Sequence, residues 1–175
     1  MKTRNISAGI AALALLGACQ SMPSDAPRAT ARLEPTKGST VHGNVSFVQI
    51  GDKVRVTAKV RGLKPKGEFG FHIHEAGDCS SGDGMSAKGH FNPYGKPHAH
   101  AGTPERHAGD LTSLKSDDDG EASLRVDLDI ITVSPGPASV VGRGLIVHAQ
   151  PDDFTTQPTG NAGARSACAV IQRAG

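Results

Sequence analysis

Two histidines with a single residue between them, His72 and His74 in Gly70-Phe71-His72-Ile73-His74, are where residue type and spacing first suit chemistry. In an extended strand, residues two apart project to the same face, so these imidazoles stand side by side as half of a metal site. The segment 70–110 holds six of the eight histidines and closes with His107-Ala108-Gly109-Asp110. Its middle, through Gly89-His90-Phe91-Asn92-Pro93 and His98, is rich in Gly and Pro and lacks regular periodicity. Such a loop needs something other than a core to hold it, and metal ligation can supply that. His72, His74, His90 and His148 offer four nitrogens, a set that suits copper(II). His90, His98, His107 and Asp110 offer three nitrogens and an oxygen, which suits tetrahedral zinc. Spacing alone does not assign His90 to both. His42 and His100 read as ordinary surface histidines, His100 with the further option of a spare ligand.

The elements that must position these residues read as short strands. Val54-Arg55-Val56-Thr57-Ala58-Lys59-Val60-Arg61 alternates apolar and polar over eight residues, the pattern of a strand with one buried face. Segments 31–35, 41–49, 68–75, 111–115, 122–130, 145–149 and 168–172 complete a set of about eight, with turns at 50–53, 62–67 and 117–120 and a connection at Pro135-Gly136-Pro137. The acidic run Asp117-Asp118-Asp119-Gly120 reads as a solvated hairpin turn, because the spaced ligands and closing Glu of a calcium loop are missing. No stretch reads as a helix. The fold class expected is all-β: an eight-stranded antiparallel Greek-key barrel or sandwich with long metal-binding loops.

Composition agrees. The chain has 22 Gly, 11 Pro, no Trp and few aromatics, so its core must rest on Val, Ile, Leu and Ala between many turns. Of 19 Lys and Arg, Lys2 and Arg4 lie in the leader, leaving 17 basic against 17 acidic residues in the remainder. With cations scattered and no aromatic platform, no nucleic-acid partner is expected.

Residues 1–18 read as a lipoprotein-type signal peptide: a basic start, then an apolar stretch around Ile10 to Leu16, too short to span a bilayer comfortably. Leu15-Leu16-Gly17-Ala18-Cys19 resembles a bacterial lipoprotein cleavage box, which makes Cys19 the lipid-bearing residue. Residues 19–30 then form the lipidated cysteine and a flexible tether, and 31–175 the domain. Gln20 after the cysteine favours the outer membrane, so the expected location is the bacterial cell envelope, in the periplasm, with membrane contact only through the lipid. With Cys19 assigned to lipid, Cys79 and Cys168 remain to pair in an oxidising compartment. Closing a loop of about 90 residues stabilises by roughly 4–5 kcal/mol in the chain-entropy picture.

Gly70-Phe71-His72-Ile73-His74, Gly89-His90-Phe91-Asn92-Pro93, His98, Arg106-His107-Ala108-Gly109-Asp110-Leu111, Gly142-Arg143-Gly144-Leu145-Ile146-Val147-His148 and Gly160-Asn161-Ala162-Gly163-Ala164-Arg165 with Cys168, in this order, resemble copper/zinc superoxide dismutase. The resemblance covers roughly residues 31 to 173. It implies copper and zinc as cofactors, with His72, His74, His90 and His148 on copper and His90, His98, His107 and Asp110 on zinc. It implies that Asp152 hydrogen-bonds His72 and His98 from outside the ligand shell, with Asp153 the weaker candidate, and that Cys79 and Cys168 form the intrasubunit disulfide. The implied activity is dismutation of superoxide to oxygen and hydrogen peroxide. His90 takes up and returns a proton, and Arg165 guides the anion as the other catalytic residue. A homodimer is compatible with the resemblance. The sequence departs from the longer, charged loop of eukaryotic members: Thr155-Thr156-Gln157-Pro158-Thr159 has no charge, so a mild ionic-strength dependence is expected. The alternative function is a non-catalytic envelope copper/zinc-binding lipoprotein, against which Arg165 argues. A purely structural zinc module leaves the four copper nitrogens unexplained.

Overall fold

The computed structural model describes residues 25–175; the leader and Cys19 lie outside the described residues. Ten strands appear among them, in chain order β1 (Arg28–Pro35), β2 (His42–Ile50), β3 (Lys53–Arg61), β4 (Glu68–Phe69), β5 (Phe71–His74), β6 (Leu114–Lys115), β7 (Ala122–Leu128), β8 (Gly144–His148), β9 (Arg165–Val170) and β10 (Gln172–Ala174). The only helical element described is a single 3₁₀ turn, Met85–Ala87. The fold is all-β as expected, and every strand pairing is antiparallel.

The main sheet runs β5-β8-β9-β1-β2-β3-β7, with β10 also on β1, and β4 pairs with β6 apart from it. Strands distant in sequence lie side by side, β1 against β9 and β3 against β7, so the chain makes Greek-key crossovers rather than a simple meander. The sheet curls around one core because alternate residues turn inward. In β3, Val54, Val56, Ala58 and Val60 are buried while Lys53, Lys59 and Arg61 face solvent. Phe47, Leu33, Phe71, Ile73, Leu145 and Val147 join them.

Boundaries shift where tertiary contacts override the local pattern. β1 starts at Arg28, three residues before the expected start, because residues 28–30 pair with β2 on one side and β10 on the other. The expected strand 68–75 splits at Gly70, whose amide donates to the Gln150 carbonyl and whose carbonyl accepts from the His148 amide. The strand expected from Leu111 shortens to Leu114–Lys115, since Leu111 packs into the core next to Asp110, which is bridged to His72 on β5. The last strand starts at Arg165 and is interrupted at Ile171, which exchanges backbone hydrogen bonds with the 142–143 turn. At the acidic turn the Asp117 carboxylate accepts from the amides of Asp119 and Glu121, a local turn device.

β5 and β8 are buried on both faces, which positions the site. Phe71, Ile73, Leu145 and Val147 point into the core, and their neighbours His72, His74, Ile146 and His148 point the other way, under the loops 75–113 and 149–164. The Cys79–Cys168 disulfide ties the first loop to β9, with Ala87 and Ile146 packed beside it.

Candidate metal centre

The pairing of β5 with β8 sets Phe71 opposite Val147 and His72 opposite Ile146, so the His72, His74 and His148 side chains share the outer face. On its other edge β5 receives two loop segments through isolated bridges, His74 to His90 and His72 to Asp110. The Ile73 amide donates to the Gly109 carbonyl, the Phe91 amide to the Ile73 carbonyl, and the Gly109 amide to the Phe91 carbonyl. Only glycine fits at 109, because a Cβ there would lie 2.2 Å from the Ile73 carbonyl oxygen.

Two groups of ligand atoms result, each within 4.8 Å: His72, His74, His90 and His148; and His90, His98, His107 and Asp110, all buried. His90 belongs to both. In the first group, His72 Nδ1 and the Nε2 atoms of His74, His90 and His148 are buried without a hydrogen-bond partner. The opposite nitrogen of each ring is engaged. His72 Nε2 donates to Asp152 Oδ2 at 2.6 Å, His74 Nδ1 to the Lys88 carbonyl at 2.8 Å, and His148 Nδ1 to the Gly163 carbonyl at 3.2 Å. A backbone carbonyl or a carboxylate only accepts, so each bond fixes the proton on the outer nitrogen and leaves a lone pair facing inward. Four buried unpaired nitrogens cost about 1–3 kcal/mol each. Lone pairs converging in this way are the donor set a divalent transition metal takes, so the residues fit copper.

The second group fits zinc. Asp110 Oδ1 lies 2.9 Å from both His90 Nδ1 and His98 Nδ1 and 3.4 Å from His107 Nδ1, and the two ring nitrogens of His90 and His107 are 3.4 Å apart. Ligand atoms of a tetrahedral zinc with bonds of roughly 2.0–2.1 Å stand roughly 3.3 Å from one another. The other carboxylate oxygen, Oδ2, accepts from the Ala99 and His107 amides and so turns Oδ1 into the group.

Asp152 links the groups by accepting from His72 and, at 2.9 Å, from His98 Nε2. Asp153 instead caps the amides of Thr155 and Thr156. Burial would raise both Asp110 and Asp152, but hydrogen bonds from the histidines hold their carboxyl groups well below the usual range. Burial would lower His98, yet Asp110 and Asp152 together carry it up to about 9. Burial, with repulsion from its neighbour His72, brings His148 down to about 3. Burial brings His90 to about 4 against the pull of Asp110.

Arg165 at the start of β9 donates to the carbonyls of Gly84 and Lys88, which belong to the loop secured by the disulfide. Burial lowers its pKa, but a guanidinium starts so far above neutrality that it stays charged. His100 lies outside both groups, exposed, with its ring edge-on to Phe154 at 4.8 Å. His42 is also exposed and hydrogen-bonds the Thr40 carbonyl. Sequence reasoning missed the carbonyls of Lys88, Gly163 and Gly84 as orienting groups, since any residue type carries one. It also missed Gln157, whose side-chain amide pairs with the His98 backbone.

Residues 41–171 match the family model described as copper/zinc superoxide dismutase. The chain is 37% identical over 168 residues to superoxide dismutase [Cu-Zn] 2 of Aquifex aeolicus, covering 94% of this chain and 97% of that one. It is 40% identical over 137 residues to the superoxide dismutase [Cu-Zn] of Paramecium bursaria Chlorella virus 1, covering 75% and 72%. Among solved structures it is similar to a crystal structure of the clock protein EA4, with a TM-score of 0.77 and 39% identity over 87% of this chain and 98% of that one.

Proposed function

The chain belongs to the copper/zinc superoxide dismutase family, and from that premise we propose that its two ligand groups hold the two metals through one shared imidazole, that of His90. The protein is a superoxide dismutase with copper and zinc as cofactors, converting superoxide to oxygen and hydrogen peroxide. Copper, when bound, supplies reversible one-electron transfer, and zinc a fixed charge that does not change oxidation state.

His72, His74, His90 and His148 hold copper by their inward nitrogens; His90, His98, His107 and Asp110 hold zinc. Asp152 keeps His72 and His98 in their tautomers. His90 is the proton carrier: its Nε2 faces the four-histidine group while Nδ1 is turned to Asp110, so when the Nε2 lone pair is not given to copper it can hold a proton in position for the product peroxide. Arg165 attracts and orients the anionic substrate, and its permanent charge favours superoxide over neutral dioxygen. The observation that carries this reading is the set of four buried, partnerless imidazole nitrogens beside a guanidinium held by two carbonyls.

The test is superoxide decay by pulse radiolysis on purified protein whose copper and zinc have been counted, with His148→Ala alongside. A second-order constant near the roughly 10⁸–10⁹ M⁻¹s⁻¹ ceiling, abolished in the variant, supports the reading. Full metal occupancy with no decay above background would instead establish a non-catalytic metal-binding protein. We propose also that the domain is tethered in the periplasm by a lipid on Cys19, supported by the Leu15-Leu16-Gly17-Ala18-Cys19 box. Mass spectrometry of the mature N-terminus tests this, and an acyl-free terminus at another residue would remove it. Sedimentation of the purified domain tests for a homodimer.

A further inference from the structure

His98 is held at both ring nitrogens and at both backbone polar groups. Its Nδ1 bonds Asp110 and its Nε2 bonds Asp152, and the amide of the next residue, Ala99, bonds Asp110. The remaining two contacts come from a single side chain: the His98 amide donates to Gln157 Oε1 at 2.8 Å, and Gln157 Nε2 donates to the His98 carbonyl at 2.8 Å. The primary amide reproduces what a neighbouring strand residue gives in a ladder, one acceptor and one donor on the same partner. The contact spans 59 positions of sequence and joins the loop carrying His98 to the loop carrying Asp152.

We propose that Gln157 is a positioning residue for zinc binding: it holds the His98 backbone so that Nδ1 meets the three other ligand atoms and Nε2 meets Asp152. The inference rests on the assignment of His98 to the zinc group. Gln157 itself is exposed, and water replaces an isolated surface hydrogen bond at little cost. One water does not replace a planar amide whose donor and acceptor are fixed relative to each other, and that pairing lets an exposed side chain set a backbone position. A role therefore falls to the loop 155–159 although it bears no charge to steer an anion. Because the bond couples two loops, zinc binding and the order of the 152–160 loop are linked, each favouring the other.

The experiment uses the full domain with its disulfide intact, stripped of metal and reloaded with one metal at a time. Gln157→Met keeps the length and volume of the side chain and removes the amide; Thr159→Ala alters the same loop without touching His98. Zinc affinity is read by competition with a chromophoric chelator. Cobalt(II) absorption reports the geometry of the zinc group, and NMR hydrogen exchange reports the His98 amide. In Gln157→Met, zinc affinity is expected to fall about tenfold, the low end for groups that orient a ligand. The cobalt spectrum shifts and the His98 amide exchanges faster, while copper affinity changes by less than about threefold and Thr159→Ala changes nothing. Unchanged zinc affinity and exchange would overturn the proposal. So would equal weakening of both metals, or the same loss in Thr159→Ala, since each indicates general loosening of the loop. Failure of the unsubstituted domain to give a tetrahedral cobalt spectrum would overturn the ligand assignment and the proposal with it.

Discussion

A single methyl group at position 160 should separate the structure's account of the site from a generic one. Gly160 has φ +66°, and a Cβ there would sit 1.9 Å from Asp152 Oδ1 and 2.5 Å from His98 Nε2, on top of the bond between them. In Gly160→Ala the carboxylate must move by about an ångström, because Cβ contacts under 3.0 Å do not occur. The 2.9 Å bond from His98 and the 2.7 Å bond from the Phe154 amide, both on Oδ1, are then lost or weakened. A left-handed alanine costs roughly 1 kcal/mol, and a hydrogen bond to a charged group contributes roughly 1.5–3 kcal/mol. With the equivalent of one such bond lost, the sum is about 2.5–4 kcal/mol, worth roughly 10 °C in melting temperature for a domain of this size. Gly38→Ala is the control, since Gly38 has φ +83° with nothing within 4 Å of its Cβ position. It should cost only the conformational part. Urea unfolding of the metal-free, disulfide-intact domain gives both values, and zinc affinity should fall 10- to 100-fold in Gly160→Ala alone. If Gly160→Ala costs no more than Gly38→Ala, the reasoning about Asp152 is wrong.

Three further outcomes follow from the same geometry. In the metal-free domain, His90 at about 4 and His148 at about 3 stay neutral in the fold while the unfolded chain takes up protons below about 6.5. Stability therefore falls as pH drops from 6.5 toward 4, by about 2.7 kcal/mol per pH unit for these two protons, and burial of His74 acts in the same direction. His98, at about 9, contributes in the opposite direction: its stabilisation is full below 6.5 and lost as pH rises through 9. Urea midpoints against pH should peak near neutrality, and a flat acid limb would contradict the buried neutral histidines. Arg165→Gln should lower the second-order rate constant about tenfold and flatten its ionic-strength dependence; a steep salt dependence that survives the substitution would show that other charges steer the substrate. Replacing Cys79 and Cys168 by Ala opens a loop with a sequence separation of 89, at a cost of roughly 4–5 kcal/mol in chain entropy. It also frees the loop whose Gly84 and Lys88 carbonyls hold Arg165. Activity at full metal loading should fall with stability, and a destabilised variant of undiminished activity would detach Arg165 from that loop.

What the sequence determined by itself is what depends on neighbours one or two residues away. The alternation of Val54, Val56, Ala58 and Val60 with polar residues requires a strand with one buried face, and the spacing of His72 and His74 puts both rings on one side of β5. The carboxylate of Asp110 and the number of histidines likewise point to two donor sets. Tertiary structure decided the rest. Nothing local makes Glu68 to Glu75 break at Gly70; the break follows from hydrogen bonds to Gln150 and His148, nearly 80 residues on. Which nitrogen of each imidazole faces inward depends on Asp152 and on the carbonyls of Lys88 and Gly163. A carbonyl leaves no mark in the residue type that bears it. His90 joins two donor sets because the isolated bridge to His74 holds it with Nε2 turned to the four-histidine group and Nδ1 to Asp110. Gln157 acquires a role only because a loop 59 residues away is folded against it. Side-chain periodicity is a property of the chain, whereas convergence of donor atoms is a property of strand register and loop packing, and only the folded molecule fixes those.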